Sequence, residues 1–99
     1  MSKELEYYHS VASKIKKAEE GNLFGKSCYK INKKAFVCFF KNCMVFKLTG
    51  ETHAEALGLE GSVLFDPSGK GRPMKAWVQV SYSQRKKWKA FSVAAASLM

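Results

Sequence analysis

The chain has 99 residues, of which 46% are hydrophobic and 13% aromatic, and these proportions indicate one folded globular domain over residues 1–99 and exclude a disordered chain. The longest apolar run, residues 35–40, is far shorter than the ~20 residues that a membrane-spanning helix needs, so we expect no membrane partner. The formal net charge is +9, and such a charge attracts polyanionic partners, although surface charge also maintains solubility.

The cysteines and the N-terminus indicate a cytoplasmic protein. Cys28, Cys38 and Cys43 are an odd number without Cys-x-x-Cys spacing, which argues against a disulfide framework and against a zinc site. The first residues contain no apolar segment of the secretory type. We therefore expect a cytoplasmic location, no metal and no cofactor.

The first half of the chain predicts one helix and three strands. Residues 3–20 read as an amphipathic helix ended by Gly21-Asn22, because apolar residues recur there at helical spacing: Leu5, Tyr8, Ala12 and Ile15. Residues 23–48 are rich in aromatic and β-branched residues and are broken at Asn32-Lys33 and Lys41-Asn42, which predicts three strands joined by tight turns. The middle strand is apolar on both faces, so it should be central, or its second face should be covered by a helix or a partner.

The second half predicts a short helix over residues 51–57, strands at 63–65 and 75–80, and a closing helix. Ser81 and Gln84 fit a capping box, and the residues after them repeat at helical spacing: Trp88, Phe91, Ala95 and Leu98. The order is α-β-β-β-α-β-β-α. Short loops favour antiparallel pairing, so we expect an α+β two-layer sandwich, with a curved antiparallel sheet of about five strands and helices on one face.

Four segments carry a resemblance to a known family: Leu23–Lys30, Met44–Leu48, Leu64–Pro67 and Arg72–Val78. Over about residues 20–98 the chain resembles the TfoX N-terminal domain family, which is related in fold to MmcQ/YjbR-like proteins. The resemblance implies the same α+β sheet domain. TfoX regulators control competence genes and YjbR-like proteins are often labelled DNA-binding, but the family supplies no accepted catalytic set to carry over.

Two groups of cations are candidate anion-binding residues. Asp66-Pro67-Ser68-Gly69 favours a type I turn, and the loop and strand that follow it carry Lys70, Arg72 and Lys75. This loop fits either an anion cradle or a solvated hairpin loop. The second group is Arg85, Lys86, Lys87 and Lys89, which fits either polyanion binding or a hydrated helix face with Trp88 packed inward.

Catalytic signatures are weak. Gly25-Lys26-Ser27 imitates the end of a phosphate-binding P-loop, but the required earlier glycine is Glu20, which favours a strand with a glycine bulge. A cysteine–histidine pair needs contact and a lowered thiol pKa, whereas cysteines in strand patterns are commonly buried and inert.

The sequence therefore predicts a non-enzymatic binding or regulatory module whose basic surface binds nucleic acid or an acidic protein. The alternative is a homodimerising protein-interaction module that uses an exposed sheet face or edge with Phe36, Phe39, Phe40 or Phe46. An enzyme acting on a small anionic substrate is the third hypothesis.

Overall fold

The computed structural model describes residues 2–23, 25–66, 71 and 73–98. Within these residues the chain forms three α-helices, a 3₁₀ helix and six strands. In chain order the elements are α1 (Lys3–Ala12), β1 (Glu19–Leu23), β2 (Lys26–Ile31), β3 (Lys34–Phe40), β4 (Cys43–Lys47), α2 (Gly50–Leu57), β5 (Val63–Phe65), β6 (Met74–Val80), the 3₁₀ helix (Tyr82–Lys87) and α3 (Trp88–Ala96).

The first helix is shorter than its apolar spacing predicts. Ser2 caps α1 by accepting a hydrogen bond from the Leu5 amide at 3.1 Å, and the helix ends at Ala12. A turn follows in which Lys17 has a φ of 69°. Residues 19–22, predicted as the end of the helix and its stop, instead form β1 together with Leu23. Each residue of β1 pairs with a residue of β2, so its backbone hydrogen bonds are made within the sheet.

The predicted first strand is in fact two strands. The sequence predicts one strand from residue 23 onward, but β1 and β2 form an antiparallel hairpin that reverses between residues 23 and 26. Gly25 has a φ of +75° in this reversal, a conformation that glycine adopts without steric cost. The expected glycine bulge at this position is therefore a turn.

The next two reversals lie where the sequence predicts them. Asn32 and Lys33 have φ values of 53° and 68°, and Lys41 and Asn42 have values of 50° and 62°. Two consecutive positive φ angles in a two-residue hairpin loop are the signature of a type I′ turn, which matches the twist of the flanking strands.

All strand pairs are antiparallel, in the order β1-β2-β3-β4-β6-β5, and the sheet is not closed. The predicted α+β architecture with helices on one face is confirmed, with β1 as an additional strand. The central place expected for the apolar third strand, β3, is also confirmed.

The sheet has an apolar cluster on each face. The larger cluster takes residues from all three α-helices, among them Tyr8, Ala56 and Trp88. The smaller cluster lies on the opposite face and contains Cys28, Cys38, Val45, Phe65 and Trp77.

This packing corrects the surface expected for the homodimer alternative. Phe36 and Phe46 are fully buried and cannot be part of an exposed sheet face. Phe39 is half-buried and packs against the larger cluster, and Phe40 is half-buried against the smaller one.

The C-terminal helix begins differently from the capping box that the sequence predicts. The Ser81 side chain caps nothing and lies 2.7 Å from the Ser83 hydroxyl. A 3₁₀ helix follows, in which Gln84 has φ −102° and ψ 24°, outside the helical range. None of the helices in the described part of the chain is long and apolar enough to cross a membrane.

Candidate anion-binding groove

The seven cations predicted to bind anions do not all lie together. Lys70 and Arg72 fall outside the described residues. Lys75 is exposed near the start of β6, whereas Arg85 and the lysines after it follow the other end of this strand. The strand between them spans about 17 Å at the usual rise per residue. The loop cation Lys75 and the helical cations are therefore separate.

The 3₁₀ helix is held against α1 by aromatic contacts. The guanidinium of Arg85 lies 4.7 Å from the centroid of the Tyr82 ring, and Lys3 Nζ of α1 lies 5.9 Å from the same centroid. Tyr7 of α1 donates a hydrogen bond from its hydroxyl to the Arg85 carbonyl oxygen at 3.4 Å. Cations over an aromatic face are favourable, so these contacts keep Arg85 and Lys3 on the same side of the molecule.

Trp88 fixes the start of α3. Its side chain is fully buried, which confirms the interpretation that it packs inward. The indole nitrogen donates a hydrogen bond to the Ser81 carbonyl oxygen at 3.2 Å, and the ring centroid lies 5.7 Å from that of Tyr7 and 5.6 Å from that of Tyr82. The helical cations therefore point outward from an anchored helix.

Lys87 differs from its neighbours because it has an acidic partner. Lys87 Nζ lies 3.9 Å from a carboxylate oxygen of Glu55 in α2, and both side chains are more than half exposed. Exposed pairs of this kind contribute at most about 1 kcal/mol to stability. It is the one ion pair found among the described residues, so Arg85, Lys86 and Lys89 have none there.

Two adjoining open clefts lie between α1, the turn after it, and α3. The larger has a volume of about 570 Å³ and the smaller about 250 Å³, and both are lined by Lys14, Ile15 and Val93. The larger is also lined by Lys16, Lys17 and Ala96, and the smaller by Lys89 and Tyr7. We call these residues together the α1–α3 groove: Tyr7, Lys14, Ile15, Lys16, Lys17, Lys89, Val93 and Ala96.

The groove has a cationic rim and an apolar floor. Lys14, Lys16, Lys17 and Lys89 are all exposed. Between them, Val93 exposes 53% of its surface, although it is aliphatic. A third cleft of about 690 Å³ continues past Lys17 and Asn32 to Lys33, and its lining includes one acid, Glu19.

The turn after α1 places three of these lysines. The Ile15 amide donates to the Ala12 carbonyl at 3.2 Å and the Ala18 amide donates to the Ile15 carbonyl at 3.1 Å, so the chain stays coiled without continuing the helix. Ile15 packs against the larger apolar cluster. The lysines around it are left on the surface.

Sequence reasoning missed Lys14, Lys16 and Lys17, because it treated them as the polar face of a long helix. The available signal was their density: three lysines within four residues before the first acid of the next segment. Lys89 is the predicted site residue that the structure brings to them.

The cysteine and histidine side chains lie outside the groove. Cys28 and Cys38 are fully buried register partners on the opposite face of the sheet, and burial raises the pKa of both thiols, to about 12 for Cys38. Burial also raises the pKa of the half-buried Cys43. His9 bonds the Tyr29 hydroxyl at 2.8 Å, and His53 bonds the Lys75 carbonyl at 2.7 Å. These thiols stay protonated at neutral pH.

Within the described part of the chain, no group of three or more His, Cys, Asp or Glu side chains could hold a metal ion. Comparison of the chain with protein-family models, with curated proteins and with solved structures gave no match.

Proposed function

We propose that this chain is a non-enzymatic, cytoplasmic binding module of the TfoX N-terminal type, and that it binds an anionic macromolecule, nucleic acid or an acidic protein, in the α1–α3 groove. One observation carries the proposal. Lysines that are distant in sequence, Lys14 on the turn after α1 and Lys89 on α3, line the same open cleft.

Concentration of charge distinguishes a binding surface from charge that only maintains solubility. Charges scattered over a surface are screened from one another beyond about 8–10 Å at physiological ionic strength. Cations that line one concave surface add their potentials and raise the local concentration of anions. The groove lysines have no ion pair among the described residues, so their charge remains available to a partner.

The lining of the groove supports binding and not catalysis. The residues that line its two clefts are lysines, apolar side chains, serines, Asn32 and Tyr7, with no carboxylate, imidazole or thiol among those described. General acid–base catalysis at neutral pH most often uses a histidine or a carboxylate, and covalent catalysis needs an activated nucleophile.

The test is a titration by fluorescence anisotropy against labelled duplex DNA, single-stranded DNA, RNA and poly-glutamate over a range of salt concentrations. Two triple variants remove the same charge from different faces: K14Q/K16Q/K89Q in the groove and K26Q/K30Q/K47Q on the opposite face of the sheet. We expect the groove variant to lose most of its affinity. For duplex DNA, the slope of log affinity against log salt should fall by up to about 0.9 for each lost phosphate contact.

The control variant should bind like the unmodified protein. Equal losses in both variants would show that net charge alone drives binding, and absence of binding to every polyanion at low salt would refute the proposed function.

A further inference from the structure

The α1–α3 groove offers more than charge, and its apolar floor discriminates between possible partners. Val93 is 53% exposed in the groove, and Ile15 and Ala96, which line the same cleft, are partly buried. A phosphate backbone would contact the lysines and leave this floor in water. An occupant with an apolar side of its own would cover the floor, which favours binding in proportion to the apolar area removed from water.

The floor follows the axis of α3. Lys89, Val93 and Ala96 lie at positions i, i+4 and i+7, so they form one stripe along the helix surface. This stripe is about 10 Å long at 1.5 Å per residue. On the other wall, Tyr7 of α1 contacts the start of α3 through Trp88, and Ile15, in the turn after α1, lines the cleft near Val93 and Ala96.

A groove that runs along α3, and has apolar residues in its lining, fits a helix laid along it. Recognition of this kind uses apolar residues of the guest at helical spacing. The α3 stripe, about 10 Å long with Lys89 at one end and the apolar Val93 and Ala96 toward the other, matches about two turns of such a helix.

The charges select the chemistry of the guest. Lys16 and Lys17 line the end of the groove near the turn after α1, and Lys14 lines both clefts. Lys89 lines the end near the 3₁₀ helix, which carries Arg85 and Lys86. All cations that line the two clefts are lysines, which pair with carboxylates as point charges. Carboxylates at both ends of a short helix complement this arrangement.

We infer that the α1–α3 groove binds an acidic amphipathic helix of a partner protein, with the apolar face of that helix on Val93 and Ile15 and its carboxylates on the lysines at both ends. This inference rests on the proposed function and specifies the partner.

The experiment compares two fluorescein-labelled peptides of identical composition. One places its leucines on one face of a Glu-rich helix, and the other has the same residues in a scrambled order that spreads the leucines around the helix. We expect the amphipathic peptide to bind at least about tenfold more tightly, the factor that corresponds to burying one aliphatic side chain.

Two exposed valines provide a matched pair of variants. Val93 lies in the groove, and Val63 on β5 has a similar exposure of 49% but lies outside it. V93S should weaken binding of the amphipathic peptide by about tenfold and leave the scrambled peptide unaffected, while V63S should change neither. Circular dichroism of both variants verifies that they fold.

The outcomes separate this inference from the proposed function. If both peptides bind equally and V93S has no effect, the inference of an acidic amphipathic helix is wrong. The proposed function is then still supported by salt-dependent binding of the polyanions. If duplex DNA binds more tightly than the amphipathic peptide at the same salt, the occupant is nucleic acid and the inference is overturned. If sedimentation shows a dimer that V93S dissociates, the occupant is a second copy of this chain, which also overturns it. If no anion binds, both proposals fail.

Discussion

The buried Cys38 thiol makes the stability of this fold sensitive to alkaline pH. Burial is the main cause that raises its pKa from 9.0 to about 12, and the neighbouring Cys28 makes a smaller contribution to that rise. In the unfolded chain the thiol ionises near its ordinary value. Because the folded-state pKa is the higher one, its contribution to stability is complete below pH 9 and is lost as the pH rises toward 12.

The size of the effect follows from the two pKa values. About 1.5 pH units above the unfolded pKa, the unfolded thiol is almost fully ionised and the folded thiol is almost fully protonated. Ionisation then stabilises the unfolded chain by 1.36 kcal/mol per unit, or about 2 kcal/mol. We therefore expect Cys38 alone to lower the free energy of unfolding by about 2 kcal/mol between about pH 7.5 and about pH 10.5.

The assay is urea denaturation under reducing conditions at both pH values, followed by circular dichroism. Lysine deprotonation and the other thiols change stability as well, so the informative quantity is the difference between variants. Cys38→Ala should lose about 2 kcal/mol less than the unmodified protein over this pH interval, whatever its stability at neutral pH. Cys43→Ala, which keeps the Cys38 thiol, is the control and should retain most of the loss. Equal pH-dependent losses in the Cys38→Ala variant and the unmodified protein would refute the reasoning.

Three further predictions concern the core, a turn and the thiols. Trp88→Phe should lower the free energy of unfolding by about 2 kcal/mol in urea denaturation, because it removes ring contacts and the hydrogen bond to a backbone carbonyl; an unchanged midpoint would show that Trp88 does not anchor α3. Lys33→Gly should raise the free energy of unfolding by about 0.5–1 kcal/mol, because Lys33 has a φ of 68° that glycine adopts without steric cost. A melting temperature below that of the unmodified protein would contradict this prediction. In the folded protein, Cys43 should be the first thiol to react with a disulfide reagent. Cys28 and Cys38 should react only in denaturant, because both are fully buried. Fast reaction of all three thiols in the folded state would show that the smaller apolar cluster opens readily.

Local chemistry made part of this fold predictable from the sequence. The reversals at Asn32-Lys33 and Lys41-Asn42 were predicted because in each an asparagine, which tolerates positive φ, interrupts a strand-forming run, so that two adjacent residues determine the turn. The central position of β3 was predicted because a strand that is apolar on both faces needs cover on both.

The strand β1 could not be predicted in the same way. Glu19 and Glu20 continue a helical pattern on the N-terminal side, and what makes them a strand is pairing with Lys30 and Tyr29. Tertiary pairing overrides local propensity here, since the backbone hydrogen bonds of a strand come from another segment.

The α1–α3 groove could not be predicted from the sequence for a related reason. Lys14 and Lys89 become neighbours because Trp88 and Tyr7 bring two helices together from opposite ends of the chain. The sequence showed a basic cluster around Lys89, but the lysines that face it belong to a turn that appeared to be helix.

The two edges of the open sheet have a consequence for behaviour at high concentration. β5 has three residues and forms one edge, and β1 forms the other with Glu19 and Glu20 on it. Short or charged edge strands are poor templates for strand addition from another molecule. Intermolecular β-sheet growth is therefore disfavoured while the chain is folded, and the protein should tolerate crowding without forming fibrils.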